Sequence, residues 1–153
     1  MMKVAFDTSL IVAAVVAAHP QHARARIWFN AAINNQIKGF ASWHAIAEAW
    51  AVLTRMPLNP AISGESAHKI LQRIEKIISL SAVSANIYRE AIERCASLSL
   101  RSGVIFDAIH TLTAEKVATD IILTFNLRDF QRLATSFSPR IVEPPNPPSI
   151  NIG

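Results

Sequence analysis

The sequence predicts an α/β domain, a parallel β-sheet flanked by helices on both faces. Short apolar runs near residues 2–6, 39–42, 79–83 and 121–125 alternate with longer stretches of helical periodicity, the pattern of strands joined by crossover helices. Hydrophobic residues make up 51% of the 153-residue chain and charged ones only 17%, so a real core can form and a disordered chain is excluded. Acids also stand at the ends of two of these runs, and in such sheets ligands bind outside the carboxyl ends of the strands.

Taken in order, Met2 to Phe6 reads as a buried strand and Leu10 to Ala18 as a helix closed by the His19-Pro20 pair, because a residue before proline is pushed out of the helical region. A second helix spans Gln21 to Asn34, with Ala25, Trp28, Phe29, Ala32 and Ile33 on one stripe. Gly39 to Ser42 is a second strand, and Trp43 to Arg55 a helix stopped by Pro57. Ser63 caps the next helix, whose Glu65–Lys69 spacing marks a solvated face. Ser79 to Val83 is a third strand, Ser84 to Leu98 a helix, and Val104 to Ala118 another with Asp107 in its first turn. Residues 121–125, Asp129 to Phe137, and Arg140 to Val142 read as strand, short helix and edge strand. Residues 1–143 form the domain. Prolines at 144, 145, 147 and 148 make residues 144–153 an unstructured tail.

Fifteen basic and eleven acidic side chains leave a net charge of +4, which permits a polyanionic partner without demanding one. The lone Cys95 excludes an internal disulfide and fits a reducing cytoplasm, and it reads as a helix-packing residue. The longest apolar run, Leu10 to Ala18, is too short for a membrane span. A cytoplasmic protein without membrane contact is the expectation.

Most of the acids need no special account. Glu65, Glu75, Glu90, Glu93 and Glu115 each lie within four residues of a lysine or arginine and read as solvated. Asp7 in "VAFDTS", Glu48 in "AIAEAWAVL" and Asp107 in "VIFDAIHTL" differ, because apolar residues flank each on both sides; Asp129 in "TFNLRDF" is a weaker fourth. A hydrogen-bonded cap accounts for any one of them. For the set, two carboxylates within about 4 Å repel by about 4 kcal/mol at an effective dielectric near 20, so they shed a charge or recruit a cation. Oxygen-only ligands favour Mg²⁺ or Mn²⁺, and no Cys/His grouping has zinc spacing. Asp7 before one helix and Asp107 opening another also feel a positive helix end.

These pieces, "AFDTSLIVA", "HAIAEAWAVLTRMP", "GVIFDAIH" and "TFNLRDF", in that order, resemble the PIN-domain ribonucleases and within them the VapC-type toxins of toxin-antitoxin pairs. The resemblance implies a PIN-like fold, Mg²⁺- or Mn²⁺-dependent hydrolysis of RNA phosphodiester bonds, a homodimer, and a small cognate antitoxin as partner. The family's acids map onto Asp7, Glu48 and Asp107, and its more variable fourth position onto Asp129 or the adjacent Asn126. Asp7 and Asp107 would hold the metal while Glu48 and Asp129 complete its shell or place the attacking water.

Arg101, Arg128 and Arg132 flank the site in sequence and are candidates for phosphate contact, and Asn126 and Thr124 for ligand hydrogen bonds or a turn cap. His110 and His44 are read as packed, satisfied histidines. The unusually apolar first two helices, with Trp28 and Phe29, are the candidates for the dimer and antitoxin surfaces. A haloacid-dehalogenase-type phosphatase would want an acid where Ser9 stands. The alternatives are a PIN-like module that binds RNA or protein without cutting, and a housekeeping RNA-processing nuclease.

Overall fold

A computed structural model of the chain describes residues 1–146. Within them, five strands form one parallel sheet: β1 (Lys3–Phe6), β2 (Lys38–Ser42), β3 (Ser79–Ser81), β4 (Ile121–Leu123) and β5 (Arg140–Val142), in the order β3-β2-β1-β4-β5. The chain winds from β1 through β2 to β3 on one side, then crosses to the other for β4 and β5. The order reverses at β1, which opens a crevice beyond the carboxyl ends of β1 and β4.

Seven helices occupy the connections: α1 (Thr8–Val15), α2 (His22–Ile33), α3 (Trp43–Arg55), α4 (Gly64–Glu75), α5 (Ala85–Ser97), α6 (Val104–Val117) and α7 (Leu127–Leu133). The alternation of side chains along each strand assigns the two layers. Val4, Phe6, Ile121 and Leu123 pack with α1 to α4 in the main core. Ala5 and Ile122 point to the opposite layer, against Ala114 of α6 and Phe130 of α7. Beyond them α5 closes on α6 through Ile87, Ala91 and Cys95. No helix among the described residues is long and apolar enough to cross a membrane.

Four helices begin on a side-chain cap, where an oxygen accepts an amide the helix itself leaves free. Asp7 accepts from Leu10, Ser42 from Ala45, Ser63 from Ser66 and Ser84 from Ile87. Asp7 and Ser42 directly follow or end the neighbouring strands β1 and β2, so strand passes to helix without a loop.

The ends of several elements differ from expectation for local reasons. Helix α1 starts at Thr8, because Asp7 is its cap, and stops at Val15, where Val16 turns extended and the chain goes into turns through His19 and His22. Strand β4 ends at Leu123 because the Thr124 hydroxyl turns inward to Asp7. Helix α7 begins at Leu127 and ends at Leu133; Ala134 is extended, and a Thr135–Ser138 turn replaces the expected last helical residues. Strand β3 covers only Ser79–Ser81.

Two expectations are overturned by burial. Trp28 and Phe29 are 4% and 1% exposed, with Phe29 stacked on Phe6 at 5.3 Å, so they belong to the core and are not an assembly surface. Glu115 is not a solvated acid: its carboxylate takes two hydrogen bonds from Arg94 of α5, at 2.7 and 3.0 Å, and ties α6 to α5. Of the proline-rich tail, residues 147–153 lie outside the described residues; Pro144 is buried and its carbonyl accepts from the Arg24 guanidinium at 2.7 Å.

Trp28→Ala removes a large side chain from this packed layer and should lower the unfolding free energy by about 3–5 kcal/mol. Urea denaturation reads it directly, and an unchanged midpoint would contradict the burial.

Candidate active site

The crevice is built around Asp7. Its backbone is extended, so it ends β1 and caps α1 at once, and it is only 3% exposed. Oδ1 accepts from the Leu10 amide at 2.9 Å and the Ser9 hydroxyl at 2.7 Å, while Oδ2 accepts from the Thr124 hydroxyl at 2.6 Å. Those hydroxyl oxygens accept in turn: Ser9 from the Phe125 amide at 3.2 Å and Thr124 from the Asn126 amide at 2.8 Å. One carboxylate therefore fastens the end of β1 to the β4–α7 connection. Burial pushes its pKa up, and the bonds from Thr124, Leu10 and Ser9, with the charge of His110, pull it back.

Asp107 enters from the first turn of α6 and is half-buried. Its Oδ2 accepts from the Asn126 amide nitrogen at 2.9 Å, and the same nitrogen donates to Asp129 Oδ2 at 2.9 Å. Asn126 thus bridges two acids, and Arg132 takes the outer oxygen of Asp129 at 2.8 Å. Burial pushes the Asp107 carboxyl up from its ordinary 3.8 to about 7; His110 opposes this, and the negative charges of Asp7, Asp129 and Glu48 add to it.

Glu48 projects from the middle of α3, its side chain 28% exposed. Two imidazoles meet the same oxygen, Oε1: His110 Nε2 at 2.9 Å and His44 Nε2 at 3.4 Å. They are unequal. His110 is buried and its Nδ1 lies 3.0 Å from the Ser42 hydroxyl, so it is the satisfied histidine the sequence suggested. His44 stacks on Phe106 at 5.2 Å, burial lowers its pKa, and its Nε2 is a buried polar atom without a hydrogen bond among the described residues.

Asp7, Glu48, Asp107 and Asn126 share the walls of one open cleft of about 370 Å³. Asp129 stands behind Asn126, linked to it and to Arg132. Arg128 and Arg101 are exposed and do not line the cleft, and Arg132 is occupied by Asp129. Sequence reasoning left Thr124 between two roles and gave Ser9 none; the hydroxyl two residues after an acid was the available signal for Ser9. Ser42 was passed over, although a serine before a helix is visible in the sequence.

The acids do not form a ready-made cage, for no group of three His, Cys, Asp or Glu side chains among the described residues is closed to metal-holding geometry. What the cleft offers is hard oxygen ligands on two sides of an open space, and among the described residues that line it there is no lysine or arginine to offset Asp107 and Glu48. That set fits a hard divalent ion held through one or two carboxylates and retaining much of its water.

A family model described as the PIN domain matches residues 4–135. No curated protein matches the chain. Among solved structures, VapC20 from Mycobacterium tuberculosis, described as a sarcin-ricin loop cleaving toxin, superimposes with a TM-score of 0.68 at 19% identity, over 89% of this chain and 99% of that one. VapBC2 from Rickettsia felis, bound to a DNA fragment from its promoter, gives 0.65 at 16% identity over 93% and 98%. DNA-bound VapBC from Salmonella typhimurium gives 0.63 at 17% identity over 94% and 98%. At these identities the likeness is one of fold. The family match runs from β1 to just past α7, and on it the chain belongs to the PIN domain family.

Proposed function

We propose that this protein is a metal-dependent endoribonuclease of the VapC toxin type, and the observation that carries the proposal is the crowding of carboxylates at the β1–β4 crevice. Glu48 and Asp107 face the same cleft as Asp7, and their mutual repulsion helps hold Asp107 near pKa 7. A module that only bound RNA would gain nothing from negative charge placed where a phosphate must come. RNA as substrate, a small antitoxin as partner and a dimer as the assembly rest on the likeness to VapC20 and to the VapBC complexes.

Asp7 and Asp107 would hold Mg²⁺ or Mn²⁺, with Glu48 and either Asn126 or Asp129 completing the shell. An ion held by these residues would lower the pKa of a bound water and offset charge on the phosphate. The chain does the rest. Ser9, Thr124 and the Leu10 amide favour the ionised form of Asp7 against its burial and aim its oxygens. Asn126 holds Asp107 and Asp129 at a fixed separation. Glu48, across the cleft, orients the attacking water and accepts its proton.

Asp7→Asn should reduce metal-dependent RNA cleavage by more than about 10²-fold, since the ion is worth several kcal/mol to the reaction. Its fold should survive, because asparagine retains the cap. Retained cleavage by the purified variant would refute the assignment.

A second expectation follows from linkage. Asp107 binds its proton more tightly folded than unfolded, so in chelator its contribution makes the protein less stable as pH rises from about 4 to 7, and the raised pKa of Asp7 acts in the same sense. Asp107→Asn should flatten that slope, and Mn²⁺ at pH 8 should raise the melting midpoint of the wild type more than that of the variant. Identical slopes in wild type and variant would contradict the crowding.

A further inference from the structure

Within its own helix Glu48 has only the 3.4 Å approach of His44, which is not a hydrogen bond. It projects half-exposed from the middle of α3, and a glutamate carries enough rotamer freedom that an unrestrained carboxylate spends much of its time away from any one position. Yet its Oε1 is 2.9 Å from His110 Nε2, and His110 is buried at 7% exposure on α6, a different element.

The partners fix which nitrogen of His110 does what. A carboxylate can only accept, so Nε2 carries the proton and donates to Glu48. The Ser42 hydroxyl oxygen already accepts from the Ala45 amide at 3.0 Å, which leaves its own proton free to donate to His110 Nδ1 at 3.0 Å. With the proton on Nε2, every group in this chain is satisfied, from the α3 cap through the ring to the carboxylate. No protein hydrogen bond among the described residues reaches the other oxygen of Glu48, Oε2, and Glu48 lines the cleft. His44 offers no equivalent hold, since its Nε2 at 3.4 Å makes no hydrogen bond.

We propose that His110 is a positioning residue for Glu48: anchored by Ser42, it fixes Oε1 so that Oε2 is presented to the cleft. This rests on the nuclease reading for its purpose but not for its geometry. Groups that orient a carboxylate toward a metal in this way are worth about 10–100-fold in metal affinity or activity.

The pair His110→Asn and His110→Gln separates positioning from packing. The asparagine amide reaches only the Nδ1 position and keeps the Ser42 contact; the glutamine amide reaches the Nε2 position and keeps a donor for Glu48. Calorimetric titration with Mn²⁺ should show His110→Asn binding on the order of 10–100-fold more weakly than wild type, with His110→Gln retaining most of the affinity. With RNA, the loss in His110→Asn should fall on kcat while KM stays as in wild type. In a Glu48→Gln background, His110→Asn should add no further loss of Mn²⁺ affinity. Wild-type Mn²⁺ affinity in His110→Asn, a loss in His110→Gln as large as in His110→Asn, or full additivity with Glu48→Gln would each overturn the proposal. Weakened Mn²⁺ binding in His110→Asn from a wild type that leaves RNA intact would uphold the positioning role and count against the ribonuclease reading instead.

Discussion

Buried negative charge at one end of one sheet is the constraint that the rest of this structure answers to. Asp7 is 3% exposed, and Asp107 is pushed to about 7 partly by the charges of Asp7, Asp129 and Glu48. Each unit charge repels another by about 4 kcal/mol at 4 Å with an effective dielectric near 20, a large fraction of the stability of a domain this size. The fold spreads that cost over hydrogen-bond donors: two hydroxyls and an amide for Asp7, one carboxamide for Asp107 and Asp129, one imidazole for Glu48. Arg132, among the described residues the one guanidinium bonded to any of these acids, reaches Asp129, which stands behind the cleft lining.

This arrangement makes structural and functional roles inseparable at the crevice. Asp7 is the cap of α1 and, through Thr124 and Ser9, the lock between β1 and the β4–α7 connection. Ser42 caps α3 and anchors His110, so the helix that carries Glu48 and the ring that holds Glu48 are set by one hydroxyl. Caps of this kind are worth about 1 kcal/mol each. Here they also aim the carboxylates, which is why the sheet's reversal at β1 and the acids fall at one place.

The three-layer α/β fold was legible because strands and helices write different periods in the sequence: the alternation of Val4 and Phe6 with Ala5, and the helical stripe through Ala25, Trp28 and Phe29, survive in the structure. What the stripe could not say is how deep it lies, and Trp28 and Phe29 proved to be core. Asp7, Glu48 and Asp107 stood out because apolar neighbours left them no local partner, and all three line the cleft. Glu115 escaped the same test, since Lys116 beside it masked a partner twenty-one residues away in Arg94. The hold of His110 on Glu48 spans sixty-two residues and that of Thr124 on Asp7 spans one hundred and seventeen; no local spacing encodes contacts made only when α6 and β4 dock.

The central claim is that these carboxylates are arranged to receive a divalent cation. Anomalous diffraction from crystals of the protein soaked in MnCl₂ tests it without relying on any activity. The account predicts a manganese peak in the β1–β4 crevice, about 2.0–2.3 Å from oxygens of Asp7 and Asp107. A soaked crystal with no peak in that crevice, or with manganese only at surface acids such as Glu65, would contradict it.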